Sequence, residues 1–392
     1  MAYHGFFRNV NRPSDLTSPR LLNETVKRLS DNLRLPMQGS YRPKHVYRQL
    51  VYLSAGKTSI NNVSNKYKCC NSKLMGRTNL THHLEKITQV EYLLQRQEPL
   101  LGKGIVEHLL RRNKLYDFAI DYVNVPYYGQ KTEENVEYVV GSQAKRSTTR
   151  FYCYASVSCL KGNKRLTLAA IPVKCDDTQP ELIERLLDSI ELYQLQVKCL
   201  FLDREFYNVK TLRYLHEKEI PFVMPAVRKG KSGGIRQFER GRTSFTTKYP
   251  LGKERFEITL HVVACYEKGR KERHGVTYRF FTSNRVNWSP KKVAEQYRKR
   301  FGIESSYRQM NVLKGVTTSR CPALRYLYVL IALLLRNIWM AVRFLCFSEP
   351  HVGPKTFDAS RFVLKDFVEE MRYTIRRYFF HGRRTISRYG EG

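Results

Sequence analysis

The sequence predicts a three-layer α/β domain carrying a β-rich insertion and preceded by an all-α N-terminal domain. Residues 1–105 hold helical patterns and few strand-like runs. From Leu115 the texture changes to apolar runs of strand length, and the later runs are separated by helical segments with capping signals. At 392 residues the chain is long enough for two or three domains, one of them able to bury a sheet.

In the N-terminal part, a turn at Ala55-Gly56 divides KHVYRQLVYL from KTSINNVSNKYK, and a longer segment, NLTHHLEKITQVEYLLQ, starts at Asn79. Short helices with Lys44 and Arg48 among amide and hydroxyl side chains suit a helix-turn-helix module. An ordinary helical domain without DNA contact fits the same pattern, and His82 and His83 read as surface residues.

The strands LYDFAIDYVNV, RFYCYASVSCL and RLTLAAIPV follow, the last two joined by a turn at Lys161-Gly162-Asn163, and together they read as a meander. A helix with a capping box, Thr178 to Glu181, runs through TQPELIERLLDSIELYQ. The run VKCLFLD reads as a buried parallel strand, Asn208 caps a second helix, and IPFVMPAV is the fifth strand. Three strands, helix, strand, helix, strand is the order of an RNase H-like fold.

Residues 225–286 interrupt that order with a basic stretch and two alternating strands, RFEITLHVVAC and VTYRFFTSN. In the first, Phe256, Ile258, Leu260 and Val262 share a face. A helix opens at Ser289-Pro290, a cap followed by proline. The expected organisation is a helical, DNA-binding domain over 1–105, a catalytic core over 106–224 and 287–348, the insertion over 225–286, and a basic C-terminal arm over 349–392.

Composition narrows the partner. Lys and Arg number 69 against 35 Asp and Glu, a formal net charge of +34, and such a field attracts a polyanion. With 42% hydrophobic and 12% aromatic residues, a folded body fits better than a basic tail or a ribosomal or membrane-surface protein. Nine cysteines occur without a CxxC pair, which speaks for reduced thiols and against a zinc site or disulfide scaffold. The N-terminal stretch has no apolar run of signal length, so the expected location is cytoplasmic. The apolar segment Leu324 to Cys346 contains Arg325, Arg336 and Arg343 and reads as a buried core helix, not a membrane span.

The chemistry is expected from carboxylates. Asp121 lies in the first strand and Asp203 ends the fourth, and these strands are neighbours in an RNase H-like sheet. Their oxygens suit Mg²⁺ or Mn²⁺, and a pair of ions about 4 Å apart serves in-line phosphoryl transfer. Asp117, Asp176, Asp177 and Glu205 compete with them locally, Glu205 most seriously because it shares a side with Asp203 if the strand continues. A third carboxylate sits in EQYRKRFGIESSYRQMN. On a continuous helix Tyr297, Arg300, Glu304, Arg308 and Asn311 fall in one stripe, with Gly302 a local break.

The stretch YRKRFGIE resembles the Tyr-x2-Arg-x3-Glu-x6-Lys signature of bacterial and archaeal insertion-sequence transposases with a DDE catalytic domain and a β-strand insertion before the glutamate. The resemblance extends to FAIDYVNVPYYG, FLDREF and RYLYVLIALLLRNIW and covers residues 110–345. It implies that Asp121, Asp203 and Glu304 are both catalytic residues and ligands of two Mg²⁺ or Mn²⁺ ions, and that Tyr297 and Arg300 grip phosphates. Where the family has its lysine this chain has Asn311; Arg308 on the same face supplies a charge, and Lys314 lies further round. Arg228, Lys229 and Lys231, with Arg236, Arg240 and Arg242, make a candidate track along DNA. Trp288 and Phe301 are candidates for stacking on an unpaired base, or for core. The implied partners are double-stranded DNA, as element ends and target, and a second copy of the chain in a synaptic complex, in a prokaryotic nucleoid. A relative that only binds DNA and an RNase H-like nuclease without strand transfer are the alternatives.

Overall fold

The computed structural model describes residues 16–37, 39–66, 74–145, 147–162, 164–266, 275–349, 356–357 and 360–379. Asn163 of the expected turn, Cys69, Cys70 and the last residues of the expected basic arm lie outside the described residues. In chain order the helices are α1 (Ser18–Asn32), α2 (Pro43–Gly56), α3 (Ile60–Lys66), α4 (Arg77–Glu85), α5 (Val90–Leu101) and α6 (Val106–Leu109). The α/β part follows with β1 (Leu115–Pro126), β2 (Val139–Lys145), β3 (Thr148–Lys161), β4 (Lys164–Pro172), α7 (Gln179–Leu192), β5 (Gln196–Leu202), α8 (Val209–Glu217) and β6 (Phe222–Pro225). Then come β7 (Phe245–Leu251), β8 (Phe256–Tyr266), β9 (Val276–Asn284), α9 (Pro290–Tyr297), a 3₁₀ turn (Arg298–Phe301), α10 (Gly302–Leu313), α11 (Pro322–Cys346), the short pair β10 (Ser348–Glu349) and β11 (Thr356–Phe357), and α12 (Leu364–Phe379). Two compact units form: Leu101–Arg308, and Met1–Leu100 together with Gln309–Gly392.

The unit Leu101–Arg308 is built on one mixed sheet with the order β2-β3-β1-β5-β6-β9-β8-β7, and β4 also pairs with β3. Its centre, β4-β3-β1-β5-β6, is the RNase H-like order, with β1 antiparallel to β3 and parallel to β5. Two strands go beyond the sequence reading. β2 pairs with the start of β3, so the meander contains an extra edge strand. β7 pairs with β8, β8 with β9, and β9 with β6, so the expected insertion extends the central sheet.

Local chemistry explains the helices. Thr178 and Glu181 close the capping box of α7, the Thr178 N–H donating to Glu181 Oε2 at 2.9 Å, and Leu182, Ile183, Leu186 and Ile190 form its buried side. Asn208 Oδ1 accepts from the Thr211 N–H at 2.9 Å and starts α8. Ser289 caps α9, with Pro290 in its first turn. Val293, Ala294 and Tyr297 of α9 pack into a cluster with Ala119, Cys199, Phe201, Val223, Val263 and Phe281. Because side chains alternate along a strand, the face of β1 that holds Ala119 against α9 also holds Asp117 and Asp121.

In the other unit, Arg28 of α1 donates to the carbonyls of Pro99 and Leu100 at the end of α5, at 2.8 and 2.5 Å, satisfying groups that a helix end leaves open. The helix α11 is long and apolar enough to cross a membrane by length and composition, yet its residues from Pro322 to Arg343 are all buried, as a core helix requires. Its arginines find internal partners: Arg325 Nε donates to Ser319 O at 2.6 Å and Arg336 Nε to Gln309 Oε1 at 3.2 Å. The segment expected as a basic arm contains α12, whose Phe367, Met371, Ile375 and Phe379 are buried. Ser18 Oγ donates to Glu370 at 2.6 Å and the Arg48 guanidinium lies 3.6 Å from the Tyr378 ring centre, so this helix is packed with the N-terminal ones. By contacts, residues from Gln309 onward, α11 included, group with the N-terminal helices, whereas the sequence reading had placed 287–348 with the sheet.

Leu186 is fully buried in the α7 face. Leu186→Ala is expected to cost about 2–5 kcal/mol through lost burial and the cavity left behind, measured as a lower denaturant midpoint of the sheet unit.

Candidate active site

The parallel ladder between β1 and β5 runs to Ile120 opposite Leu202. One residue further along both strands are Asp121 and Asp203, where the ladder has ended. Here β1 has an antiparallel neighbour, β3, on one side and a parallel one, β5, on the other, and it runs on to Pro126 after β5 has ended, which leaves the Asp121 side of the sheet open next to Asp203. β5 stops because Asp203 turns into a cap: its carboxylate accepts from the Arg204 N–H at 2.6 Å and opens a short 3₁₀ turn, Arg204–Phe206. Glu205 therefore leaves the strand and is exposed.

Arg300 joins the two aspartates. Its Nη2 lies 2.9 Å from Asp121 Oδ2 and 3.0 Å from Asp203 Oδ2, and its side chain is only 5% exposed. Asp121 Oδ1 accepts from the Tyr122 N–H at 2.9 Å. Burial is the largest influence on the Asp121 carboxyl and pushes its pKa up to about 6, with Arg300 working the other way and Asp203 and Glu205 adding to the rise. Burial opposes the charge on Arg300, but Asp121, Tyr297 and Asp203 together hold its pKa above the ordinary value.

Tyr297 supports this group from beneath. Its ring packs edge-on against Phe201, and its hydroxyl donates to Leu202 O at 3.1 Å, the carbonyl just before Asp203. Tyr307 of α10 shares a hydrogen bond of 2.8 Å with Ser156 Oγ, and Ser156 is the cross-strand partner of Asp121. Asp117, the competitor of Asp121, pairs instead with Lys299 Nζ at 3.0 Å, about 13 Å down the strand at roughly 3.3 Å per residue.

The expected stripe divides. The 3₁₀ turn between α9 and α10 winds at about three residues per turn instead of 3.6, so Tyr297 and Arg300 are buried while Glu304 and Arg308 are exposed. Tyr297 and Arg300, expected at phosphates, are engaged with Leu202 O and with the two aspartates. Asn311 and Lys314 belong to the other compact unit. Among the described residues, no group of three or more His, Cys, Asp or Glu side chains is arranged to hold a metal ion. The pair Asp121 and Asp203, hard oxygen donors converging on one cationic group, does fit a divalent cation; Glu304 is not gathered with them. Arg228, Lys229 and Lys231 are exposed, Arg228 paired with Glu239 at 3.2 Å. Trp288 and Tyr307 are partly buried against the α9 cluster, and Phe301 is 49% exposed.

A sequence model of the transposase DDE domain matches residues 113–338, more than half of the chain and all of the strands that carry the aspartates. The chain belongs to the DDE-domain transposase family. No curated protein matches it. Among solved structures, the cryo-EM structure of the piggyBac transposase synaptic complex with hairpin DNA matches with a TM-score of 0.56 at 12% identity, over 95% of this chain and 82% of that one. At that identity the likeness is one of fold. The structure brings the two aspartates singled out in the sequence together, and sequence reasoning missed that Arg300 bridges them, as it missed the Lys299–Asp117 and Tyr307–Ser156 contacts. The one signal in the sequence was the basic run Arg298-Lys299-Arg300 about three turns after the helix cap Ser289.

A carboxyl whose folded pKa lies above its unfolded value of about 3.9 binds its proton more tightly in the native state, so stability falls as pH rises through that interval. With divalent ions chelated, the protein is expected to lose stability on the order of 2–3 kcal/mol between about pH 4 and pH 6 from this group. Denaturant midpoints measured across this range check it: Asp121→Asn should remove that part of the slope.

Proposed function

We propose that this transposase binds the terminal inverted repeats of its own insertion sequence, hydrolyses the strand at each boundary to free a 3′-hydroxyl, and joins that hydroxyl to target DNA. The observation that carries the reading is the convergence of Asp121, midway along β1, and Asp203, just past the end of the parallel β5, on one cationic group. Asp121 and Asp203 would hold Mg²⁺ or Mn²⁺, and Glu304 enters as third ligand on the motif spacing alone. Bound there, two such ions would activate the attacking oxygen and stabilise the leaving one.

The chain's own residues supply the rest. Arg300 balances the two carboxylates and keeps a guanidinium beside the reacting strand, where a transferring phosphoryl group gathers negative charge. Tyr297 fixes the strand end through Leu202 O, and so fixes Asp203. Arg308, Asn311 and Lys314 are assigned to the phosphates of the element end. Arg228, Lys229 and Lys231, exposed on the approach to β7, are assigned to the DNA backbone, with affinity that falls as salt rises. The N-terminal helices are assigned to DNA binding, and cutting two ends together calls for a dimer on DNA in the nucleoid of a prokaryotic cell. The charge of +34 and the family support this assignment.

Duplex oligonucleotides carrying the inverted repeats that flank the gene test it. Asp121→Ala, Asp203→Ala and Glu304→Ala are each expected to abolish Mg²⁺- or Mn²⁺-dependent cleavage while duplex binding persists; retained cleavage in any one removes that residue from the site. Precut ends with a free 3′-hydroxyl should give joined products, and cleavage without joining marks a nuclease instead.

A further inference from the structure

The 3₁₀ turn Arg298–Phe301 carries Arg300, and the residues beside Arg300 are tied to the sheet independently of the two aspartates. Lys299 Nζ meets Asp117 Oδ2 at 3.0 Å. The Lys299 carbonyl accepts from Arg165 Nη2 at 3.2 Å, while Arg165 Nη1 donates to Gly162 O in the β3–β4 turn. Gly302 opens α10 with the Arg165 guanidinium so close that a Cβ on it would stand 2.7 Å from Nε. The turn is thus held from β1 by Asp117 and from the β3–β4 corner by Arg165.

Asp117 is 8% exposed and its Oδ1 is buried with no hydrogen-bond partner. A carboxylate buried in that way costs folding free energy that a single lysine, itself 41% exposed, offsets only in part. Its position is accounted for by what it holds: the next residue along the turn, Arg300, must place one nitrogen within 3.0 Å of two carboxylates on different strands.

We propose that Asp117, Lys299 and Arg165 form a brace of positioning residues that sets the turn so that Arg300 reaches Asp121 and Asp203 and α10 starts at a fixed angle. This rests on the reading of Asp121 and Asp203 as the catalytic pair. The brace touches no reacting atom, so its loss displaces the chemistry and leaves DNA affinity alone.

The test uses the full-length protein and the flanking-repeat duplex with Mn²⁺. Asp117→Asn and Lys299→Gln are each expected to lower kcat for cleavage by about 10- to 100-fold, the scale of a misplacement near 1 Å, with KM for the duplex unchanged. The double variant should be no worse than either single one, and Lys299→Arg should keep most of the rate. Hydrogen exchange, read by mass spectrometry without DNA or metal, should quicken in peptides spanning 298–308 in both single variants. Unchanged exchange there, additive losses in the double variant, or a loss expressed only in KM would each overturn the brace. Cleavage surviving in Asp121→Ala would overturn the catalytic reading, and the exchange result still judges the brace.

Discussion

The site depends on one buried guanidinium between two carboxylates. Asp121 and Asp203 come from adjacent strands and have nowhere to separate, because β1 and β5 are hydrogen-bonded up to the residue before each. Two like charges at such a place are unfavourable together in a low-dielectric setting. Arg300, reaching both at about hydrogen-bond distance, makes the arrangement tolerable. Buried ion pairs gain little net stability, so the group is better understood as a fixed geometry than as a source of folding free energy. It holds two oxygen donors side by side, an arrangement of the kind the proposed phosphoryl transfer on hard cations would use.

Every neighbouring element has a part in that geometry. The β5 strand ends where Asp203 caps the following turn. Tyr297 takes the carbonyl just before it, while its ring closes the apolar layer beneath the turn. Phe201 and Ala119, on the same face as the aspartates, give α9 the surface on which it sits. The apolar layer under the site and the polar group above it are therefore continuous along two strands, with alternation delivering Ala119 and Asp121, or Phe201 and Asp203, to the same side.

Much of this was legible in the sequence. β1, β3, β5 and β8 are dense in apolar and β-branched residues, and the caps Thr178, Asn208 and Ser289 stand where the helices begin. β2 and β7 escaped because they are edge strands: VVGSQAK turns polar after two residues, and FTTKYPL contains a proline and is only half-buried on one face. α12 was hidden by its arginines: Arg377 is exposed and Arg372 and Arg376 are half-buried beside a buried side that is regular. The stripe from Tyr297 to Asn311 assumed one continuous helix, and a 3₁₀ turn of four residues rotated its first half away from its second. Asp117 and Lys299 could not be paired from sequence, since only the close approach of the turn to β1 brings them together.

The claim that Asp121, Asp203 and Arg300 act as one electrostatic unit is tested most directly by a double-mutant cycle on stability, comparing the wild type, Asp121→Asn, Arg300→Met and the double variant by denaturant unfolding at neutral pH without divalent ions. Removing Arg300 alone strands a buried carboxylate, Asp121, beside the half-buried Asp203 and should be costly, about 3–5 kcal/mol. Removing Asp121 as well should recover part of that cost, giving a coupling of more than about 1 kcal/mol. Effects that add within about 0.5 kcal/mol would contradict the account.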